Sequence, residues 1–169
     1  MNRRVVIADA GPLIGLARID SLPLLHGLFG RVGITPAVHG EILPAGASFP
    51  DAPLLAHALA AGWVDVLTEP AGDWTPRNHG IDAGEASAIG LACRRRDAGD
   101  AALLLMDDAA GRLEAKAQGI ALIGTAALIG LAKTEGLIPA ARPLLERLAR
   151  AGYFIGPPVI AAVLAGAGE

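Results

Sequence analysis

The chain has 169 residues, 53% of them hydrophobic and 18% charged, with a formal net charge of −3. That length allows one domain whose core needs no disulfide or structural zinc, and the lone Cys93 excludes an internal disulfide and any cysteine-rich metal site. The negative balance excludes a general basic field for nucleic acid, and 4% aromatic residues are too few for an extended base-stacking platform, so a phosphate-bearing substrate must be held some other way.

The start, MNRRVVIADAGPLIGLA, is basic and then apolar, but Asp9 and Pro12 interrupt it, which favours a buried first strand (RVVIA) over a signal peptide. Gly11-Pro12 opens a helical stretch, PLIGLARI, and Asp20 or Ser21 is placed to cap the next, LPLLHGLF. RVGIT reads as a strand. Thr35 then caps a helix, PAVHGEIL, with Pro36 in its first turn. PLLAHALAA reads as helix, WVDVL alternates like a strand, and TEPAGDWTPRNHG is a long loop. Asp82 caps AGEASAIGLACRRR. Strand AALLLM, a helix over 108–118, strand IALI, helices TAALIGLAKTEG and PAARPLLERLARAG, and a last apolar helix near 157–165 follow. No apolar stretch reaches the roughly 20 residues of a spanning helix, so a soluble, cytoplasmic protein with no membrane contact is expected. Alternating strands and helices predict an α/β three-layer sandwich with a mostly parallel central sheet, whose ligands bind at the carboxyl ends of the strands.

Five acids sit where such an edge should form. Asp9 follows the first strand, where an ordinary helix cap also explains it. Glu85 completes a capping-box pattern with Asp82, yet shares the apolar stripe of Ala88, Ile89 and Ala92. Glu41 lies inside its helix, beside Val38 and Ile42, with no basic residue spaced to pair with it. Asp107 and Asp108 end the LLLM strand together; one can cap the following helix, but two adjacent charges beside a buried strand call for a compensating cation. Oxygen ligands of this kind suit Mg²⁺ or Mn²⁺, and no His/Cys cluster suggests another metal.

IADAGPLIGLA, TPAVHGEIL, IDAGEASAIGLA and LLLMDDAAGRLEAKAQGIALIGT, in that order, resemble the PIN-domain ribonuclease family, which includes the toxin half of many toxin–antitoxin pairs. The resemblance spans residues 5–125, and the tail through GYFIGPPVIAAVL is similar to a subgroup with extra carboxyl-terminal helices: one PIN-like domain over 1–169, with 137–169 a helical extension. It implies a metal-dependent endoribonuclease acting on single-stranded RNA, with Asp9, Glu41, Glu85 and Asp108 as the catalytic acids. Mg²⁺ or Mn²⁺ would be held by Asp9, Glu85 and Asp108, with Asp107 auxiliary. Two departures stand out: Ala10 and Gly11 replace the hydroxyl residue many relatives carry after the first acid, and Ala110 replaces a further acid.

Arg94 and Arg95, in a run with Arg96, and Arg77 in the Trp74–His79 loop are candidate RNA-backbone contacts, though cations at a helix end also complement its dipole. The apolar tail suggests a homodimer, and the resemblance implies a small antitoxin partner. Two other readings remain open: a catalytically inert PIN-like binding module, and a phosphoacceptor signalling domain. The second fits less well, because the acidic pair comes late and no lysine follows the late strand.

Overall fold

The computed structural model describes residues 3–46, 49–69 and 74–169. Five strands, β1 (Arg4–Ala8), β2 (Val32–Ile34), β3 (Val64–Val66), β4 (Ala101–Leu105) and β5 (Ala121–Ile123), make one parallel sheet in the order β3-β2-β1-β4-β5. Sheets buried on both faces read as continuous apolar runs, which is why AALLL carries no polar position. Successive residues nevertheless serve opposite sides. Val6 and Ala8 of β1 and Leu105 of β4 join one apolar cluster, while Ile7 and Leu104 join the other.

Helices α5 (Ala83–Asp97) and α6 (Ala109–Ala117) cover the second of these faces. On the first lie α1 (Ala10–Arg18), α2 (Pro23–Phe29), α3 (Pro36–Ile42), α4 (Ala52–Ala60), α7 (Thr125–Thr134), α8 (Arg142–Arg150) and α9 (Pro157–Gly166). The result is the expected three-layer α/β arrangement. Leu145, Leu148 and Leu164 of the last two helices share the cluster of Val6, Leu13 and Leu16, so the C-terminal helices complete the core. Three polar ties fix them further: Arg147 donates to the Ile19 carbonyl, the Tyr153 hydroxyl donates to the Gly11 carbonyl at 3.2 Å, and the Glu169 carboxylate accepts from the Ala141 amide at 2.5 Å.

The chain builds outward from β1 through β2 to β3, then crosses over by α5 to place β4 on the other side of β1. Between β1 and β4 the order reverses, and the chains leave the sheet in opposite directions. In open α/β sheets the crevice at such a point, outside the strands' carboxyl ends, is where ligands bind. β1 and β4 pair in register from Arg4–Ala101 to Ala8–Leu105, and the Asp9 amide continues the ladder to the Leu105 carbonyl at 3.0 Å. Asp9 is thereby pinned beside Met106, one residue before the Asp107-Asp108 pair.

Helix starts follow the sequence in part. Thr35 accepts from the Val38 amide, and Asp82 and Glu85 form a reciprocal capping box. Neither Asp20 nor Ser21 caps α2, contrary to expectation. Leu22 holds the cap position, Asp20 has a left-handed φ of 54°, and the Ser21 hydroxyl turns back to the Ile19 carbonyl. The chain there is a tight turn out of α1, and its polar side chains serve that turn. Among the described residues, no helix is long and apolar enough to cross a membrane.

Candidate functional site

Asp9 occupies the N-cap position of α1 with extended backbone, yet its side chain makes no capping hydrogen bond. It is only 6% exposed, and its buried Oδ1 has no hydrogen-bond partner. The helix-cap explanation that the sequence allowed is therefore not the one the fold uses. Burial pushes the Asp9 carboxyl up to about 7; the Ala10 amide opposes this, and the charges of Glu85, Asp82 and Glu41 add to the rise. A buried acid with one oxygen lacking any donor is costly as an anion unless something positive compensates it.

Glu85 lies at the third position of α5, 9% exposed, on the face toward the sheet. One of its oxygens, Oε2, accepts the Asp82 amide at 3.1 Å, and the Asp82 carboxylate accepts the Glu85 amide at 2.8 Å. The capping box and the inward acid thus coexist, because a capping box uses one carboxylate oxygen and leaves the other. Desolvation raises the Glu85 pKa; the Asp82 amide opposes this, while Asp82, Asp108 and Glu41 add to it.

Glu41 projects from α3 over the start of α5, and its carboxylate fills the space that a side chain on Gly84 would need. Gly84 is the residue that lets α3 and α5 approach closely enough to bring the two glutamates together. Burial and the nearby Asp82 raise the Glu41 pKa, and the Gly84 amide offsets part of this. Asp82 enters the electrostatics of all three of these acids. Sequence reading gave it only a capping role; its membership follows from a capping residue lying one turn from an inward-facing Glu.

The adjacent pair after β4 divides its labour in a way the sequence did not reveal. Asp108 caps α6, accepting the Gly111 amide at 2.9 Å through Oδ1. Asp107 turns the other way and accepts from Thr125 at the start of α7 with both oxygens, 2.7 Å from the amide and 2.5 Å from the hydroxyl. Two acids serve two helices, so the pair does not by itself require a cation, and both Asp107 oxygens already accept hydrogen bonds from Thr125. The physical reason is topological: β5 lies next to β4, so α7 begins beside the end of β4. Asp108 remains on the side of Glu85, whose pKa it raises.

Asp9, Glu41, Glu85 and Asp108 are thus linked by mutual repulsion around the β1–β4 crevice. Their oxygens are hard donors of the kind that hold Mg²⁺ or Mn²⁺, and the orphaned Oδ1 of Asp9 is the donor most in need of a cation. Among the described residues, no three acidic, histidine or cysteine side chains are drawn together tightly enough to hold an ion between them as placed. A cation here would pull the carboxylates inward.

The arginines separate. Arg95 lies ten residues beyond Glu85 along α5, roughly 15 Å at helical rise, toward the amino ends of the strands. It pairs there with Glu69 and, at 3.4 Å, with Asp100, so its guanidinium is engaged in ion pairs at that end of the helix. Arg94 lines a cavity of about 330 Å³ with Thr35, Ser87 and Trp74, on the α3–α5 side of the site. Arg77 is exposed on the preceding loop.

Two consequences can be measured. Between pH about 4 and 7 folded Asp9 holds a proton that the unfolded chain has released, so with chelator present stability should fall as pH rises through this window and level off above it. A shift from 3.8 to about 7 sets the scale at about 4 kcal/mol, and Asp9→Asn should flatten most of the slope in urea titrations at stepped pH. Asp107→Ala, which strips the buried Thr125 amide of its acceptor, should cost about 1–3 kcal/mol in the same assay.

The fold and this arrangement can be set beside known proteins. A PilT N-terminus domain protein from the hyperthermophilic archaeon Sulfolobus solfataricus P2 superposes with a TM-score of 0.50 over 90% of this chain and 97% of that one, at 17% identity, a likeness of fold. No curated protein matches. The PIN domain family matches residues 5–169, which takes in β1, the crevice acids and the C-terminal helices alike. The chain belongs to the PIN-domain family, whose members are generally nuclease-like.

Proposed function

We propose that the chain is a divalent-metal-dependent endoribonuclease that hydrolyses phosphodiesters of single-stranded RNA. The observation that carries this reading is the buried, uncapped Asp9 carboxylate at the β1–β4 crevice, with Glu85, Asp82 and Glu41 near enough to raise its pKa and Asp108 near enough to raise that of Glu85. An acid placed in that setting destabilises the empty fold. A bound divalent cation would remove that penalty.

Asp9, Glu85 and Asp108 would hold Mg²⁺ or Mn²⁺, each through an oxygen not already spent on the backbone. Such an ion supplies Lewis-acid polarisation of the phosphoryl oxygens and a more acidic attacking water. Glu41 is exposed, with its pKa raised, and would accept a proton from that water. Asp82 orients Glu85 through the reciprocal hydrogen bonds and adds negative charge around it. Arg94 and Arg77 lie on the α5 side and would contact the phosphate backbone, positioning the strand without reading its sequence. The surface as a whole is acidic, so binding depends on these few cations and on the ion.

Toxin activity restrained by a small antitoxin is the biological setting most in keeping with the family resemblance, and an antitoxin arginine would meet the same carboxylates bidentately. The apolar composition of α9 suits a homodimer. A second reading, an inert PIN-like binding module, is favoured by Ala10 and Ala110 and by the open spacing of the acids.

A short labelled RNA separates the two. Cleavage should need Mg²⁺ or Mn²⁺, and Asp9→Asn or Glu85→Gln should lower kcat/KM by about a hundredfold or more. RNA left intact with every divalent ion, together with RNA binding that Asp9→Asn does not alter, would establish the binding module instead.

A further inference from the structure

Beside the acids lies a cavity of about 240 Å³ that the reaction described above does not use; Asp107, Arg112, Thr125, Tyr153, Phe154 and Val159 contribute to its walls. It adjoins the crevice directly. Asp107 is the neighbour of Asp108, and the Tyr153 hydroxyl is bonded to Gly11, two residues after Asp9. Its volume is below the roughly 300 Å³ at which pockets for drug-sized molecules begin, and suits one planar ring system.

Phe154 is 93% exposed, the most exposed large apolar side chain among the described residues. Its neighbours explain how it is held there. Tyr153 and Ile155 turn inward and pack on the main apolar cluster, so the ring between them stands outward and cannot withdraw into the core. That alternation requires an outward residue but not an aromatic one; a polar side chain would satisfy it without exposing a ring to water. Arg112 meanwhile donates one guanidinium N–H to the Met106 carbonyl at 2.9 Å, which fixes the head at the mouth of the cavity with further N–H groups to spare. Asp107 on the same wall turns both oxygens toward Thr125.

We infer that this cavity is a nucleobase subsite, in which a base flanking the cleaved phosphodiester stacks on Phe154 while Arg112 takes an adjacent phosphate or the base's polar edge. The inference rests on the ribonuclease reading and names where that substrate is gripped on the α7 side. A strand held there passes the acids and leaves toward Arg94, which gives the crevice a cation on each flank. Stacking on one aromatic ring is tolerant of base identity, so the subsite favours unpaired RNA over a duplex without imposing a sequence.

The test uses the full chain carrying Glu85→Gln to suppress turnover, with binding of a short fluorescent single-stranded RNA read by anisotropy. Adding Phe154→Ala should weaken binding about tenfold with the melting temperature held, because the ring is exposed. Adding Phe154→Trp should keep the affinity and contribute an indole emission, over that of Trp63 and Trp74, that RNA quenches by stacking. Equal affinity with and without Phe154, or a Phe154→Ala variant that changes mass by light scattering but not RNA affinity, would overturn the subsite alone and make the ring a protein contact in the second case. Absence of any RNA binding by the Glu85→Gln chain would overturn the subsite and count against the ribonuclease reading with it.

Discussion

A carboxylate at the carboxyl end of a buried strand must be neutral, be capped by the following helix, or be matched by a cation. Asp9 is in this position, and the second solution is closed to it. Its backbone amide is tied to Leu105, its side chain makes no cap to α1, and the surrounding acids raise its pKa further. The neutral form is accessible only near or below pH 7. The arrangement of the crevice follows from this one constraint, since Glu85, Glu41 and Asp108 each add to the repulsion directly or through one another.

The acids divide according to what else they do. Asp82, Asp107 and Asp108 cap helices, and Glu85 returns one oxygen to the backbone. These bonds hold the crevice rigid from outside: α5 is fixed by its capping box, α6 by Asp108 and α7 by Asp107. Only oxygens left over from that work are free for chemistry. Gly84 has the complementary function, since any side chain there would collide with Glu41 and drive α3 away from α5. The C-terminal helices enter the same scheme from the other side. Tyr153 ties them to Gly11 in the first turn of α1, which couples their packing to the residue on which the site depends.

Much of this was legible in the chain. β1 and β4 announce themselves as apolar runs, and Thr35, Asp82 and Asp108 cap where their spacing says they should, because capping is a local interaction over three residues. What local patterns leave out is non-local. Asp107 bonds Thr125 across 18 positions, a structural role for one of the pair that no local pattern reports. Arg95 belongs to a run whose members fan out around a helix, and its partner Glu69 precedes the helix by a full loop. Asp9 was ambiguous for a different reason: cap and ligand demand the same residue at the same place, and only the geometry of its side chain separates them.

The central proposal is that Asp9, Glu85 and Asp108 would draw together around a divalent cation through their surplus oxygens. Crystals grown with Mn²⁺, measured at the manganese edge, address it without recourse to activity. The account predicts an anomalous peak between these three side chains, with Asp107 still turned toward Thr125. A map with manganese bound at Asp107, or with no peak in the β1–β4 crevice at saturating Mn²⁺ and alkaline pH, would contradict it.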